Sequence, residues 1–443
     1  MIMMSLIKYI WRIVKWTLGA ILFVFLIQRS TYPLHLDWNA ISLVVSDHKF
    51  DYLTWELEAL ISKASHTLWG QHRYMDEAAR SQFVRDYMAD LAVAQSLEAQ
   101  IDQLYLDGAD ISTLQAQHDA LRDTLNQRQP IVENILESQI SAVLIDQGFG
   151  VLGQLLPPIS MRFTQMPNLL VVSRRDRIER YVELAIEPLP LAEIERIEQR
   201  VDHTRNVSSI VVPLGGMALY PAMIQESSDL RWVIETFAHE WIHHYFFFFP
   251  LGLNYFVATD SADPEALIIN ETAADIFGKA VADLVFAQYY PELLTEDTRV
   301  FTVHTASTEF DFGAEMHITR VMVDQLMARM AALREQPFIT ITTTVKNQAL
   351  IHETILKAEQ YMEQRRLLFN ANGYRIRKLN QAYFAFYGGY QGGIPGIGGE
   401  DPIGPAVQAI FAASQTLHDF AVTMRGITNR AELLSVKHAL NIP

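Results

Sequence analysis

The 443-residue sequence predicts a mainly helical fold of the α+β type, and three observations predict it. Apolar residues recur at three- and four-residue steps through most of the chain, the pattern of helices that bury one face. Short strand-like runs are confined to one stretch, between Leu169 and Tyr220. Half of the residues are hydrophobic, ample for a core, and the length accommodates two or three domains.

The first element expected is a membrane anchor over residues 1–30. Trp16 to Ile27 is an uncharged apolar run, and counting from Tyr9 gives 19 residues, close to the ~20 of a helical span. Arg12 and Lys15 can snorkel to the headgroups. Gln28 to Pro33 offers no small-residue cleavage pattern, so an uncleaved transmembrane helix is expected. Lys8, Arg12 and Lys15 assign the N-terminus to the cytoplasm. The expectation is a single-pass protein of the cell membrane with the bulk of the chain outside.

Residues 31–155 read as a helical, coiled-coil-like hairpin region. One helix is expected from Phe50 to Leu68 and another from Glu77 to Leu106. Leu97, Ile101 and Leu104 step by four and three, and the stripe resumes at Ile111, Leu114, His118, Leu121 and Leu125. Gly108 marks the turn between the two arms. The hairpin is a spacer, a surface for self-association or partner docking, or a subdomain packed on the rest of the chain. His118 lies on its apolar seam.

Residues 156–300 carry the chemistry. Strand-like runs at Leu169–Ser173, Tyr181–Ile186, Ser208–Pro213 and Gly215–Tyr220 precede the stretch Thr236-Phe237-Ala238-His239-Glu240-Trp241-Ile242-His243-His244-Tyr245. This contains H-E-x-x-H. Residues four apart share a helix face, so His239 and His243 can aim imidazole nitrogens at one metal, with Glu240 within reach of a metal-bound water. Ser227 or Ser228 can cap this helix, Asp229 places charge in its first turn, and Pro250 is expected to stop it. A catalytic zinc site needs a third protein ligand and one open position. A second helix starting at Asp263-Pro264 and running to about Tyr289 brings Asn270-Glu271 and Asp275, the last two again one turn apart. Glu271 can complete the ligand set, Asp275 can hold a zinc histidine by its other nitrogen, and Asn270 can position backbone or substrate.

The pair of motifs, Leu230 to Asp283, resembles the gluzincin metallopeptidases. Asn270-Glu271 with Asp275 is similar to the thermolysin helix, and Glu271-x-x-Ala274-Asp275-x-x-Gly278 to that of membrane-embedded prenyl-protein and heat-shock peptidases. The resemblance implies a zincin-like peptidase domain and one Zn2+, with His239, His243 and Glu271 as ligands. It makes Glu240 the base that activates zinc-bound water and Asp275 the orienting partner of His239. It also implies that a sheet edge, with Gly216-Met217-Ala218-Leu219 as the candidate, pairs with an extended peptide or protein substrate.

Residues 301–443 are expected to be helical and to complete the cleft. Phe312 to Arg334 has helical spacing. The resemblance calls for a His or Tyr that stabilises the oxyanion; His317, Tyr383 and Tyr387 are candidates, with His304 and Tyr390. Leu379 to Tyr383 followed by Tyr387 is similar to a stretch of some bacterial zinc aminopeptidases. Between Gly388 and Gly404 stand eight glycines, a loop without the strand–G-x-G-x-x-G–helix context of dinucleotide binding.

The formal net charge of −16, about −20 beyond the four basic residues of the anchor, argues against a nucleic-acid partner. The absence of cysteine excludes disulfides, thiol nucleophiles and thiolate metal sites. The sequence thus points to a membrane-anchored zinc metallopeptidase. A non-catalytic membrane-tethered scaffold and a zinc hydrolase of a non-peptide substrate are the alternatives.

Overall fold

A computed structural model describes residues 11, 12, 14–20, 22, 23, 35–69, 74–107, 109–257, 264–294, 310–335, 341–387 and 402–440. The fold is mainly helical with small sheets. Among the described residues no helix is long and apolar enough to cross a membrane. Most of the expected anchor, residues 1–10 and 24–30, lies outside the described residues. Two compact units divide the chain, residues 1–46 and 47–443. The first contains helical residues between 11 and 23 and helix α1 (Asp37–Val44).

The second unit opens with α2 (Tyr52–Trp69) and a hairpin of two long helices, α3 (Glu77–Leu106) and α4 (Ser112–Leu144). Asp76 caps α3 by accepting from the Ala79 amide at 2.8 Å. The apolar stripe explains their pairing: Val84, Tyr87, Leu91 and Ala94 of α3 are buried with Leu125, Val132, Ile135 and Leu136 of α4. His118 sits on this seam with its Nε2 buried.

Strands β1 (Gly150–Val151) and β2 (Gln154–Leu155) form a small hairpin after α4. Strands β3 (Met161–Thr164), β4 (Asn168–Arg174) and β5 (Val182–Ile186) come next, then α5 (Leu191–Arg205), β6 (Val207–Pro213), β7 (Gly216–Met217) and β8 (Ala222–Gln225). One antiparallel sheet has the order β5-β4-β6, and a second has the order β3-β8-β7. In the second, β3 runs parallel to β8 and β7 antiparallel to it, with Gly216 opposite Ile224 and Met217 opposite Met223. This sheet is pinned to the hairpin by buried charge. Glu133 and Glu137 of α4 accept from the Phe163 and Met161 amides at 2.8 and 2.7 Å, and Lys63 of α2 bridges both carboxylates at 2.7 and 2.8 Å. Each buried ion therefore has partners, without which its burial would be prohibitive.

Helices α6 (Leu230–Phe246), α7 (Pro250–Val257) and α8 (Pro264–Tyr289) follow. The hairpin, β3, β8, α6, α8 and the C-terminal helices α12 (Ile403–Ala413), α13 (Leu417–Met424) and α14 (Arg430–Ala439) bury side chains in one continuous core. Helices α9 (Phe312–Glu335) and α10 (Ile341–Ala371) pair around a second core of Met316, Val323, Met330, Met362 and Phe369. The short helix α11 (Gln381–Phe386), capped by Asn380, packs against β4 and β6.

Three local expectations are corrected. Asp229, not Ser227 or Ser228, is the N-cap of α6, accepting from the Trp232 amide at 3.1 Å, while the Ser227 hydroxyl accepts from the Asp229 amide. Pro250 does not stop α6, which ends at Phe246; it occupies the first position of α7, where a missing N–H costs nothing. Strand pairing around the fourth expected run is limited to Gly216–Met217, and its partner β8 lies beyond the cis bond at Tyr220–Pro221.

Candidate metal centre

Helices α6 and α8 run antiparallel, as their contacts show. Arg231 pairs with Asp283, a Cβ on Gly278 would stand 2.5 Å from the Glu235 carbonyl, His239 meets Asp275, and His243 meets Asn270. Only a residue without a side chain permits the close crossing at Gly278. That crossing brings Glu271 and Asp275 within reach of two histidines one turn apart on the facing helix.

Each histidine is held by its Nδ1. Asp275 Oδ1 lies 3.0 Å from His239 Nδ1; a carboxylate only accepts, so His239 Nδ1 carries the hydrogen. His243 Nδ1 donates to Asn270 Oδ1 at 2.8 Å. Both Nε2 atoms therefore turn inward, and they stand 3.0 Å apart. Glu271 Oε2 completes the group at 3.3 Å from His239 Nε2 and 3.8 Å from His243 Nε2. Among the described residues His239, His243 and Glu271 are the one group of three or more such side chains whose ligand atoms converge within 4.8 Å.

A carboxylate oxygen and two Nε2 atoms this close need positive charge among them, either a proton on His239 Nε2 or a metal ion in its place. Zinc ligands at ~2.0–2.2 Å in a tetrahedron are spaced ~3.3–3.6 Å apart, and the three distances here bracket that range. The residues present fit a Zn2+ ion.

The electrostatics agree. Burial drives the His243 imidazole down to about 4, which keeps it neutral with its lone pair free at pH 7. Burial disfavours charge on His239 as well, but Asp275 and Glu271 outweigh it and hold its pKa well above the usual value. Burial alone would raise Glu271; His243, His239 and the Tyr255 hydroxyl overcome it and hold the carboxyl well below the usual range. The pocket thus recruits positive charge.

Glu240 does not belong to the converging group. It is 7% exposed on the same helix, and burial pushes its carboxyl up to about 7, against the pull of His239 and reinforced by Glu271 and Asp275. Gly216 of β7 lies directly against it. Strand β7 is an edge of its sheet, so the segment expected to pair with a substrate passes beside Glu240. The His244 ring meets the Tyr220 ring edge-on at 6.1 Å, so the end of this segment packs on α6.

Sequence reasoning missed Tyr255. From α7 its ring stacks on His243 at 5.3 Å and its hydroxyl donates to Glu271 Oε1 at 2.8 Å. The same reasoning named Asn270 without its role as the acceptor for His243. His317 is not part of the converging ligand group. His317 lies on α9, and the Tyr383 and Tyr387 rings meet at 4.7 Å, tilted by 45°, around α11. His304, Tyr390, Asp263 and the glycine-rich run 388–401 lie outside the described residues.

Comparisons with protein-family models, with curated proteins and with solved structures gave no match to this chain.

Proposed function

We propose that this chain is a zinc-dependent metallopeptidase of the gluzincin kind, held at a membrane by its N-terminal segment. The observation that carries the reading is the paired orientation of the histidines. Asp275 and Asn270 take both Nδ1 hydrogens, so two Nε2 atoms and one Glu271 oxygen converge on a point beside Glu240.

In this reading His239, His243 and Glu271 hold the ion. When bound, zinc would lower the pKa of a water toward ~7 and polarise the scissile carbonyl. Glu240, whose buried carboxyl is raised to about 7, takes the proton from the attacking water and passes it to the leaving amine. Edge strand β7 offers main-chain hydrogen bonds to an extended peptide, which holds the substrate without demanding a particular sequence. The position of Glu240 favours catalysis over a scaffold role, because a purely structural metal site has no use for a buried, unligated carboxylate. The anchor rests on the uncharged run of residues 16–27.

The test is metal analysis of the full chain in detergent, with cleavage of a peptide library by the same samples. Wild type should carry one zinc, His243→Ala should lose it, and Glu240→Gln should keep zinc while losing hydrolysis. Cleavage retained in Glu240→Gln would overturn the mechanism, and a wild type without zinc would overturn the site.

A further inference from the structure

The two oxygens of Glu271 are in different hands. Oε2 faces the histidine Nε2 atoms, at 3.3 and 3.8 Å, while Oε1 accepts the Tyr255 hydroxyl at 2.8 Å. Tyr255 is itself fixed, its ring lying nearly parallel to the His243 ring at 14°. We propose that Tyr255 is a positioning residue that makes Glu271 a one-oxygen ligand and so keeps a coordination position free for water. The proposal rests on the metal-site reading of His239, His243 and Glu271.

A carboxylate that can turn freely is able to ligate through one oxygen or both. A zinc ion held by two histidines and both oxygens of a glutamate has four protein atoms around it, so a water enters only as a fifth ligand and not at an open tetrahedral position. Tyr255 acts against that. A phenol is a hydrogen-bond donor at neutral pH, and its hydrogen bond draws on the electron density of Oε1 that a second bond to the metal would use. Bringing Oε1 to the ion would strain or break this partly buried hydrogen bond, which is costly. The stack on His243 adds a second constraint, since the phenol cannot follow the carboxylate without leaving the imidazole. Helix α7 therefore serves the centre although it provides no ligand. The fold-back at Phe247–Phe249 that returns the chain over α6 places Tyr255 where it stands.

The test compares wild type and Tyr255→Phe, which keeps the stacked ring and removes only the hydroxyl. Both are loaded with Co2+ for visible spectroscopy and with Zn2+ for chelator competition. The expected result is an intense four-coordinate Co2+ spectrum in wild type and a weaker, five-coordinate one in the variant. Zinc affinity should fall about 10–100-fold, the usual effect of removing an orienting partner. Identical spectra and affinities in the two proteins overturn the proposal and leave the metal site standing. No uptake of either ion by wild type overturns the metal site itself. Should the variant not fold, X-ray absorption of zinc-loaded wild type decides: four light ligands support one-oxygen ligation, and five overturn it.

Discussion

Gly216 rests against Glu240: a Cβ on Gly216 would stand 2.3 Å from Glu240 Oε1 and 2.8 Å from Thr236 Cγ2. No left-handed backbone is involved, so the demand for glycine here is one of space alone. The edge strand and the buried carboxylate are in van der Waals register, and neither can move without the other.

Gly216→Ala should therefore displace either the strand or the carboxylate. A shift of ~1 Å at a reacting group costs on the order of 10²-fold in turnover. The three atoms nearest the new methyl group belong to Glu240 and Thr236, not to the histidines or Glu271, so zinc affinity should stay near wild type. Measuring kcat/KM on a peptide together with zinc Kd separates the two effects. Undiminished turnover in Gly216→Ala would mean that the strand does not bear on the chemistry.

Much of this arrangement was legible in the sequence because its signals are local. The i, i+4 spacings of His239 with His243 and of Glu271 with Asp275, and the apolar periods of α3, α6 and α8, each fit within a few turns of one helix. What was not legible depends on how the chain returns on itself. Pro250 reads equally as the end of one helix and the start of the next, and only the second choice carries Tyr255 over His243. Strands β3 and β8 are four residues each, too short for an alternating pattern to stand out, yet they position the edge strand. Asn270 stood beside the candidate ligand Glu271, but its task became visible only through the antiparallel crossing of α6 and α8. A donor for the oxyanion involves contacts between distant segments, and spacing carries no information about those.

Asn270 and Asp275 perform the same task in different surroundings, and their substitutions should differ accordingly. The His243 side chain is 3% exposed, so Asn270→Ala leaves a buried N–H without its acceptor. That costs ~1–3 kcal/mol of stability. The Asp275 side chain is 64% exposed, and water can replace its carboxylate at His239 in Asp275→Ala. Stability should then change by less than ~1 kcal/mol. Both variants should bind zinc ~10–100-fold more weakly, because each frees an imidazole to turn or to change tautomer. Urea unfolding of the metal-free proteins and chelator competition provide the comparison. Equal stability losses, or zinc affinities that stay at the wild-type level, would contradict these roles.

Away from the metal centre, the core fixes how the protein responds to alkali. Tyr87 and Tyr290 are fully buried, with hydroxyls donating to Glu226 at 3.2 Å and to Gln139 at 2.7 Å. Burial raises both phenols, aided at Tyr87 by the Glu226 charge and opposed at Tyr290 by the Gln139 hydrogen bond. Burial would lower the Lys63 ammonium, but Glu133 and Glu137 outweigh it and raise its pKa. All three groups keep their protons in the folded state to a higher pH than in the unfolded chain, which releases them from ~10 upward. Above that pH the unfolded state binds fewer protons, so unfolding becomes easier as pH rises. The stability these groups contribute is complete below pH ~10 and falls by up to ~1.4 kcal/mol per pH unit for each group above it. Urea titrations of the metal-free protein at pH 8, 10 and 11 should show a level stability followed by a steep loss. Tyr87→Phe should flatten the loss by about one group's share. A stability unchanged between pH 10 and 11 would mean that these protons leave the folded and unfolded chains alike, and that neither the phenols nor the Lys63 cluster are as enclosed as the packing of the hairpin on β3 requires.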